Sequence, residues 1–348
     1  QNAINTGREV YLPKGDYYIS SGVLENVKYL KGAGKGSTRI LFNGVDPAIN
    51  NLNIEKSKIC DLTIENLDGT GTAINISSGS YGVIDNIFIR NTSNGIIVSN
   101  TQALRIENID MWGFNNYGVF FNGGNNDIFV SNCFINGESN GVAGLGTGIR
   151  MVDKAEAITF DSIEVILCSY ALSTDATENI FNKRPAYCVF SNCFFDSSTN
   201  GVLLDKVMNF RFDQSWFSNR PSSGCIVNTV DDLTFNNCSF INNAQHGCLV
   251  QSGAKRVKFL GCSFISNSTE LENTYHGLVI ASNATDFIIK NCTATNGLGF
   301  TGKQSNGILV NTGTSDRYII SENLVSGNVS NGVVDGGTGV NKRVENNY

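Results

Sequence analysis

Four carboxylates, Asp161, Glu164, Asp196 and Asp213, are of a type and spacing that could cleave a glycosidic bond. That reaction needs one carboxyl protonated and one ionised at a fixed separation. The four fall on one outward face of a recurring strand, together with Phe194 and Trp216. Rings beside carboxylates and amides suit sugars, whose C–H faces stack on aromatics while their hydroxyls take planar donors and acceptors. Asp161 and Asp213 lie two repeats apart. At the usual strand spacing that is on the order of 10 Å between backbones, which fits an acid and a base with a water between them. Glu164 and Asp196 lie on adjacent repeats, about 5 Å apart, nearer the spacing of an acid and a nucleophile. Arg184, Arg211 and Arg220 are close by, either to contact an acidic sugar or to balance charge, and both readings stay open. A lone outward acid is ordinarily a solvated surface group. The cluster beside Trp216 and an insertion at 173–184 is what points to catalysis.

An internal repeat must position these residues. One element reads x-Gly-apolar-x-apolar, as in NGIIV (94–98), YGVFF (117–121), NGVLL (200–204), HGCLV (246–250) and NGILV (306–310). With TAINI (72–76) and YALST (170–174), where Ala replaces Gly, eleven copies follow one another at gaps of 22 to 30 residues. A second element reads apolar-x-apolar-x-Asn-Cys-x-apolar, as in IFVSNCFI (128–135), CVFSNCFF (188–195) and LTFNNCSF (233–240). Each unit contains three short stretches of period-2 alternation joined by Asn, Gly and Ser turns, with no helical segment. Three short strands per unit predict an all-β chain wound as a single-stranded right-handed parallel β-helix of about eleven coils.

The cysteines support that winding. Cys133, Cys193, Cys238, Cys262 and Cys292 occupy one repeat position and are expected to stack as an inward ladder of free thiols. Disulfides between stacked parallel neighbours are geometrically awkward. Reduced thiols imply folding in a cytosol. The outward residues of the Gly strand are Ile97, Phe120, Arg150, Leu203, Ile226, Leu249, Val279 and Leu309. Seven of these eight are apolar, and such an outward stripe predicts an interaction surface, met by packing three copies about a common axis. The alternative is that loops of the same chain cover it.

Composition narrows the function classes. Twenty-five Lys and Arg against 31 Asp and Glu give a net charge of −6, and the pI is near 5.1. No nucleic-acid partner is expected, for want of a basic stripe. With 46 Asn, 37 Gly and 4 Pro, long helices are disfavoured. No apolar run reaches 18 residues, so no membrane insertion is expected. No signal-peptide pattern opens the chain. GAGKGST (32–38) lacks the Ser or Thr after Gly-Lys of a phosphate loop, and its glycines are expected to make tight turns. His246 and His276 are the only histidines, and both precede the repeat Gly as turn residues, which leaves no His-based triad or zinc site. Asp231 and Asp232 alone do not make a calcium site. No metal or cofactor is called for.

The opening VYLPKGDYYI (10–19) and VLENVKYLKGAGKGSTRI (23–40) resembles the start of the pectate-lyase-like (pectin-lyase-like) β-helices of bacteriophage tailspikes. The resemblance implies that QNAINTG (1–7) ends a capping helix, with residues 1–40 as cap and first coil and residues 41–348 as the β-helix. It also implies a homotrimer in a virion tail, made in bacterial cytoplasm and acting at the host surface. There it would bind and endo-hydrolyse a surface polysaccharide, capsule or O-antigen, through Asp and Glu on the β-helix surface. On that basis the proposed catalytic residues are Asp161, Asp213, Glu164 and Asp196, and Trp216, Phe194, Arg211 and Arg220 hold substrate. Two alternatives stay open: a lyase or epimerase acting on uronic acids, and a non-catalytic glycan-binding adhesin.

Overall fold

A computed structural model of the chain describes residues 9–19, 23–53, 55–139, 141–218, 221–297, 299 and 302–348. The segment 1–7, expected to end a capping helix, lies outside the described residues. Cα packing divides the chain into two units, Gln1–Ser169 and Tyr170–Tyr348. Both consist of short strands that pair in parallel with the strand one coil further on. Among the described residues the helical content is one short 3-10 turn, Phe181–Lys183.

In the first unit the inward column of the Gly strand runs Ile49, Ile74, Ile96, Val119, Ile149 in unbroken register. All five side chains are buried. Two strands of this column, Leu24–Glu25 and Ile49–Leu52, precede the earliest repeat read from sequence, because neither carries the glycine. At 32–38 the chain does turn tightly: Gly34 and Gly36 have φ of 130° and 71°, and the Ser37 N–H bonds Gly34 O at 3.0 Å.

In the second unit the matching column is Leu172, Val202, Cys225, Cys248, Leu278, Ile308, Val333. Two ladders of phenylalanine flank the cysteine position. Phe190, Phe212, Phe235 and Phe259 stack at 4.6, 5.1 and 5.0 Å. Phe195, Phe217, Phe240 and Phe264 follow at 5.4, 4.6 and 4.9 Å. Each coil thus delivers two rings to the core at the strand repeat.

The Asn of the Asn-Cys pair makes the corner. Asn132, Asn192, Asn237 and Asn291 have φ between 51° and 55°, in the left-handed region that Asn tolerates best among non-glycine residues. One such residue bends the strand without interrupting the hydrogen bonding between coils: Asn192 and Asn237 N–H still reach Asp213 O and Leu260 O at 3.0 and 2.8 Å. The following Cys then points inward, and its thiol donates to a carbonyl one coil away, as from Cys238 to Phe212 O at 3.4 Å and from Cys262 to Phe235 O at 3.4 Å. All ten cysteines are free and buried. Burial pushes the Cys133 thiol up to about 12.

The repeat glycine has a different cause. A Cβ on Gly224, Gly247, Gly277 or Gly307 would stand 2.5–2.8 Å from the carbonyl oxygen of the repeat glycine one coil on. Against the same positions runs a buried ladder of amides. Asn243 Nδ2 donates to Asn267 Oδ1 at 2.8 Å, Asn267 Nδ2 to Gln304 Oε1 at 3.1 Å, and Gln304 Nε2 to Asn328 Oδ1 at 2.8 Å. The first three amides also donate to core carbonyls, so their buried polar atoms are partnered.

His246 and His276 form a further ladder, with rings 5.4 Å apart. His246 Nδ1 accepts the His276 N–H at 3.1 Å, and His276 Nδ1 accepts the Asn306 N–H at 3.2 Å. Both therefore act as neutral acceptors. Burial, reinforced by His276, pushes His246 down to about 4, and burial lowers His276.

Three outcomes follow. All ten cysteines should titrate as free thiols in denaturant, and few in the native protein; a thiol count below ten after unfolding without reductant would reveal disulfides. Gly277→Val forces a side chain against backbone and should cost about 2–3 kcal/mol in urea unfolding. The unfolded chain binds a proton at each histidine near pH 6.5, whereas folded His246 binds one only near 4. Stability should therefore fall as pH drops from about 6.5 to 4, and His246→Asn should flatten that part of the thermal-unfolding profile.

Candidate functional site

Alternation along the Asn-Cys strand sorts the outward side chains into columns, and the register holds them one above another. In the first unit one column is Asp85, Glu107, Ser131, Asp161 and the next is Phe88, Asp110, Phe134, Glu164. In the second unit the columns are Ser191, Asp213, Asn236 and Phe194, Trp216, Ser239. Acids and rings share this face in both units, as the sequence spacing requires.

Asp161 and Glu164 stand on the strand Ile158–Ile166 of the first unit. Asp161 accepts the Ser162 hydroxyl at 3.2 Å and is half-buried, while Glu164 is exposed. Asp110 of the same face is held by Lys35 Nζ at 2.9 Å.

Asp196 and Asp213 belong to the second unit. Phe194 and Trp216 are registered neighbours there, with the Phe194 ring half exposed. Asp196 is opposite Ser218 and accepts the Ser197 hydroxyl at 3.0 Å. Asp213 has two partners, Arg211 Nε at 2.7 Å and Asn236 Nδ2 at 3.0 Å. Arg211 is thus engaged within the protein by the very acid it was expected to accompany. Arg220 lies outside the described residues. The 173–184 insertion is tied down at its start by Lys206, whose Nζ reaches Asp175 Oδ1 at 2.9 Å and Ala176 O at 2.8 Å. Among the described residues no three His, Cys, Asp or Glu side chains gather as a metal-ligand set. No helix among them is long and apolar enough to cross a membrane.

A third outward column escaped the reading of the sequence. Glu65, Arg90, Trp112 and Asn136 are in register in the first unit, each two residues beyond the second column. Their spacings of 25, 22 and 24 residues match the coil length, so counting two more residues along the alternation would have found them. Glu65 is bound by Arg39 Nη2 at 2.9 Å, and Trp112 packs on Phe134 with centroids 5.7 Å apart.

Comparison with known proteins bears on the fold. The family described as right handed beta helix region matches residues 147–272 and 178–348. Among curated proteins nothing matches. The A-module of a mannuronan C-5 epimerase from Azotobacter vinelandii superposes with TM-score 0.65 at 16% identity, over 99% of this chain and 93% of that one. Tailspike protein 3 of bacteriophage CBA120 superposes with TM-score 0.72 at 15% identity, over 99% of this chain and 56% of that one. The catalytic unit of an α-1,3-glucanase from Streptomyces thermodiastaticus superposes with TM-score 0.56 at 13% identity, over 99% and 64%. At such identities the likeness is one of fold. The family match spans more than half of the residues, and the strands pair in parallel from coil to coil: the chain belongs to the right-handed β-helix family.

Proposed function

We propose that the chain is the β-helix of a phage tailspike that binds and endo-hydrolyses a bacterial surface polysaccharide, capsule or O-antigen. The observation that carries this reading is the pairing of rings and carboxylates on one outward face, with Phe194 beside Trp216, Asp196 on the strand of Phe194 and Asp213 at the end of the strand before Trp216. Likeness of fold to a phage tailspike and to a glucanase supports it. Asp161 and Asp213 are the proposed acid and base, with Glu164 and Asp196 as the substitute pair. Trp216 and Phe194 stack sugar rings, and Arg211 and Arg220 are the proposed polar contacts to the substrate. The protein acts as a homotrimer at the virion tail. Its copies meet through the registered, part-exposed residues Leu203, Ile226, Leu249 and Leu309 of the second unit, with Ile97 and Phe120 of the first; Val279 of the same column, expected to face outward with them, is already buried within the chain. A second reading, a lyase or epimerase acting on uronic acids, is favoured by the epimerase among the structural neighbours.

Incubation with a panel of capsules and O-antigens separates the readings. Hydrolysis yields new reducing ends without absorbance near 235 nm, lyase cleavage yields that absorbance, and an adhesin binds without shortening the glycan. Asp161→Asn, Glu164→Gln, Asp196→Asn and Asp213→Asn should be assayed singly for cleavage and for binding. At least one pair should lose about 100-fold or more in cleavage while still binding; four fully active variants would place the active site elsewhere. Light scattering should give three times the 37.6 kDa chain mass, and the double change Leu203→Asp, Leu249→Asp should give the monomer.

A further inference from the structure

We propose that a cleft on the first unit, lined by Glu65, Arg90, Trp112, Gly113, Glu138 and Ser139, is a binding subsite for a neutral pyranose. It rests on the glycan reading above and adds to it a second point of attachment, on side chains that take no part in the proposed hydrolysis.

The cleft encloses about 270 Å³, below the range of drug-sized ligands and suited to one or two sugar rings. Trp112 supplies an apolar surface: it is 45% exposed, and Phe134 braces it from the neighbouring coil. A ring held this way loses little freedom when a sugar C–H face stacks on it. Arg90 supplies donors. Its guanidinium lies over the Phe88 ring at 5.5 Å, and among the described residues it has no ion-pair partner. Its planar fork matches two adjacent hydroxyls. Glu138 supplies acceptors; its backbone N–H is bound by Asn136 Oδ1 at 2.8 Å, and its carboxylate has no ion-pair partner among the described residues. Gly113 keeps the cleft open, since a Cβ there would stand 3.3 Å from Glu138 O and 3.5 Å from Ser139 Oγ.

Charge decides the class of sugar. Arg39 pairs with Glu65 and also reaches Asp16 at 3.3 Å, so one guanidinium is shared by two carboxylates. The lining itself sets Arg90 against Glu65 and Glu138. The cleft has no surplus positive charge to neutralise a uronate or sialate, whereas hydroxyls need both donors and acceptors. Cleavage is a poor fit here. Glu65 and the coil of Glu138 are three coils apart, about 14 Å between backbones, wider than either kind of glycosidase pair.

Trp112 and Trp216 are the only tryptophans, so Trp216→Phe leaves Trp112 as the sole indole reporter. In that protein, neutral methyl glycosides of glucose, galactose, mannose, rhamnose and N-acetylglucosamine should be titrated against glucuronate by fluorescence. At least one neutral glycoside should shift Trp112 emission saturably. Arg90→Ala should weaken its binding tenfold or more, Glu138→Gln several-fold, and glucuronate should leave emission unchanged. Tighter binding of glucuronate than of every neutral glycoside would overturn the assignment. If the parent shortens a polysaccharide but no neutral glycoside moves Trp112 emission, the cleft assignment falls and the hydrolase reading stands. Neutral-glycoside binding with no glycan cleaved upholds the cleft and sinks the hydrolase reading.

Discussion

Within each unit, the N–H and C=O groups of a strand find their partners one coil away, and this constraint governs everything else. A buried backbone group without a partner costs too much to tolerate, so each coil must follow the path of its neighbour at the strand spacing. Residues at equivalent positions are then forced into contact with one another. A side chain is acceptable only if it packs on its neighbour one coil away, and several kinds do so by stacking on themselves. Phenylalanine does so by offset stacking, as at Phe212 on Phe235. Cysteine does so as a small hydrophobe whose thiol reaches a neighbouring carbonyl. Asparagine and glutamine do so by passing one amide hydrogen to the next oxygen, as from Asn243 to Asn267.

The same constraint explains why glycine recurs at a position where its backbone freedom is not used. Gly224, Gly247, Gly277 and Gly307 have no left-handed φ. They recur because successive backbones approach too closely for a Cβ, with the amide ladder filling the remaining space. Asparagine at the corner is the opposite case, where the conformation is demanding and the space is open. The histidine pair is stacking under a penalty: two imidazoles can sit ring over ring and accept backbone N–H groups only while both are uncharged.

On the outside there is no core to fill, so the columns are free to carry chemistry. What the stacking supplies there is rigidity and spacing: a carboxylate, a ring or a guanidinium is repeated at coil height without a loop to position it. Some of this charge is consumed internally, as between Arg211 and Asp213 and between Arg39 and Glu65. Arg90, over the Phe88 ring, is left for a ligand.

Sequence alone determined the winding, the inward cysteine ladder and the two outward columns bearing Asp161, Glu164, Phe194, Asp213 and Trp216. These follow from strand alternation and from the left-handed preference of Asn, both local properties of a few consecutive residues. The tertiary structure decided which side chains meet across coils. The amide ladder joins Asn267 to Gln304 over 37 residues, the cleft joins Glu65 to Glu138, and Arg39 turns to Glu65. Such meetings depend on inter-coil register after loops of unequal length, with gaps from 22 to 30 residues, and no local periodicity encodes that. The lowered proton affinity of His246 likewise came from burial beside His276, 30 residues away, which its place before a repeat glycine could not show.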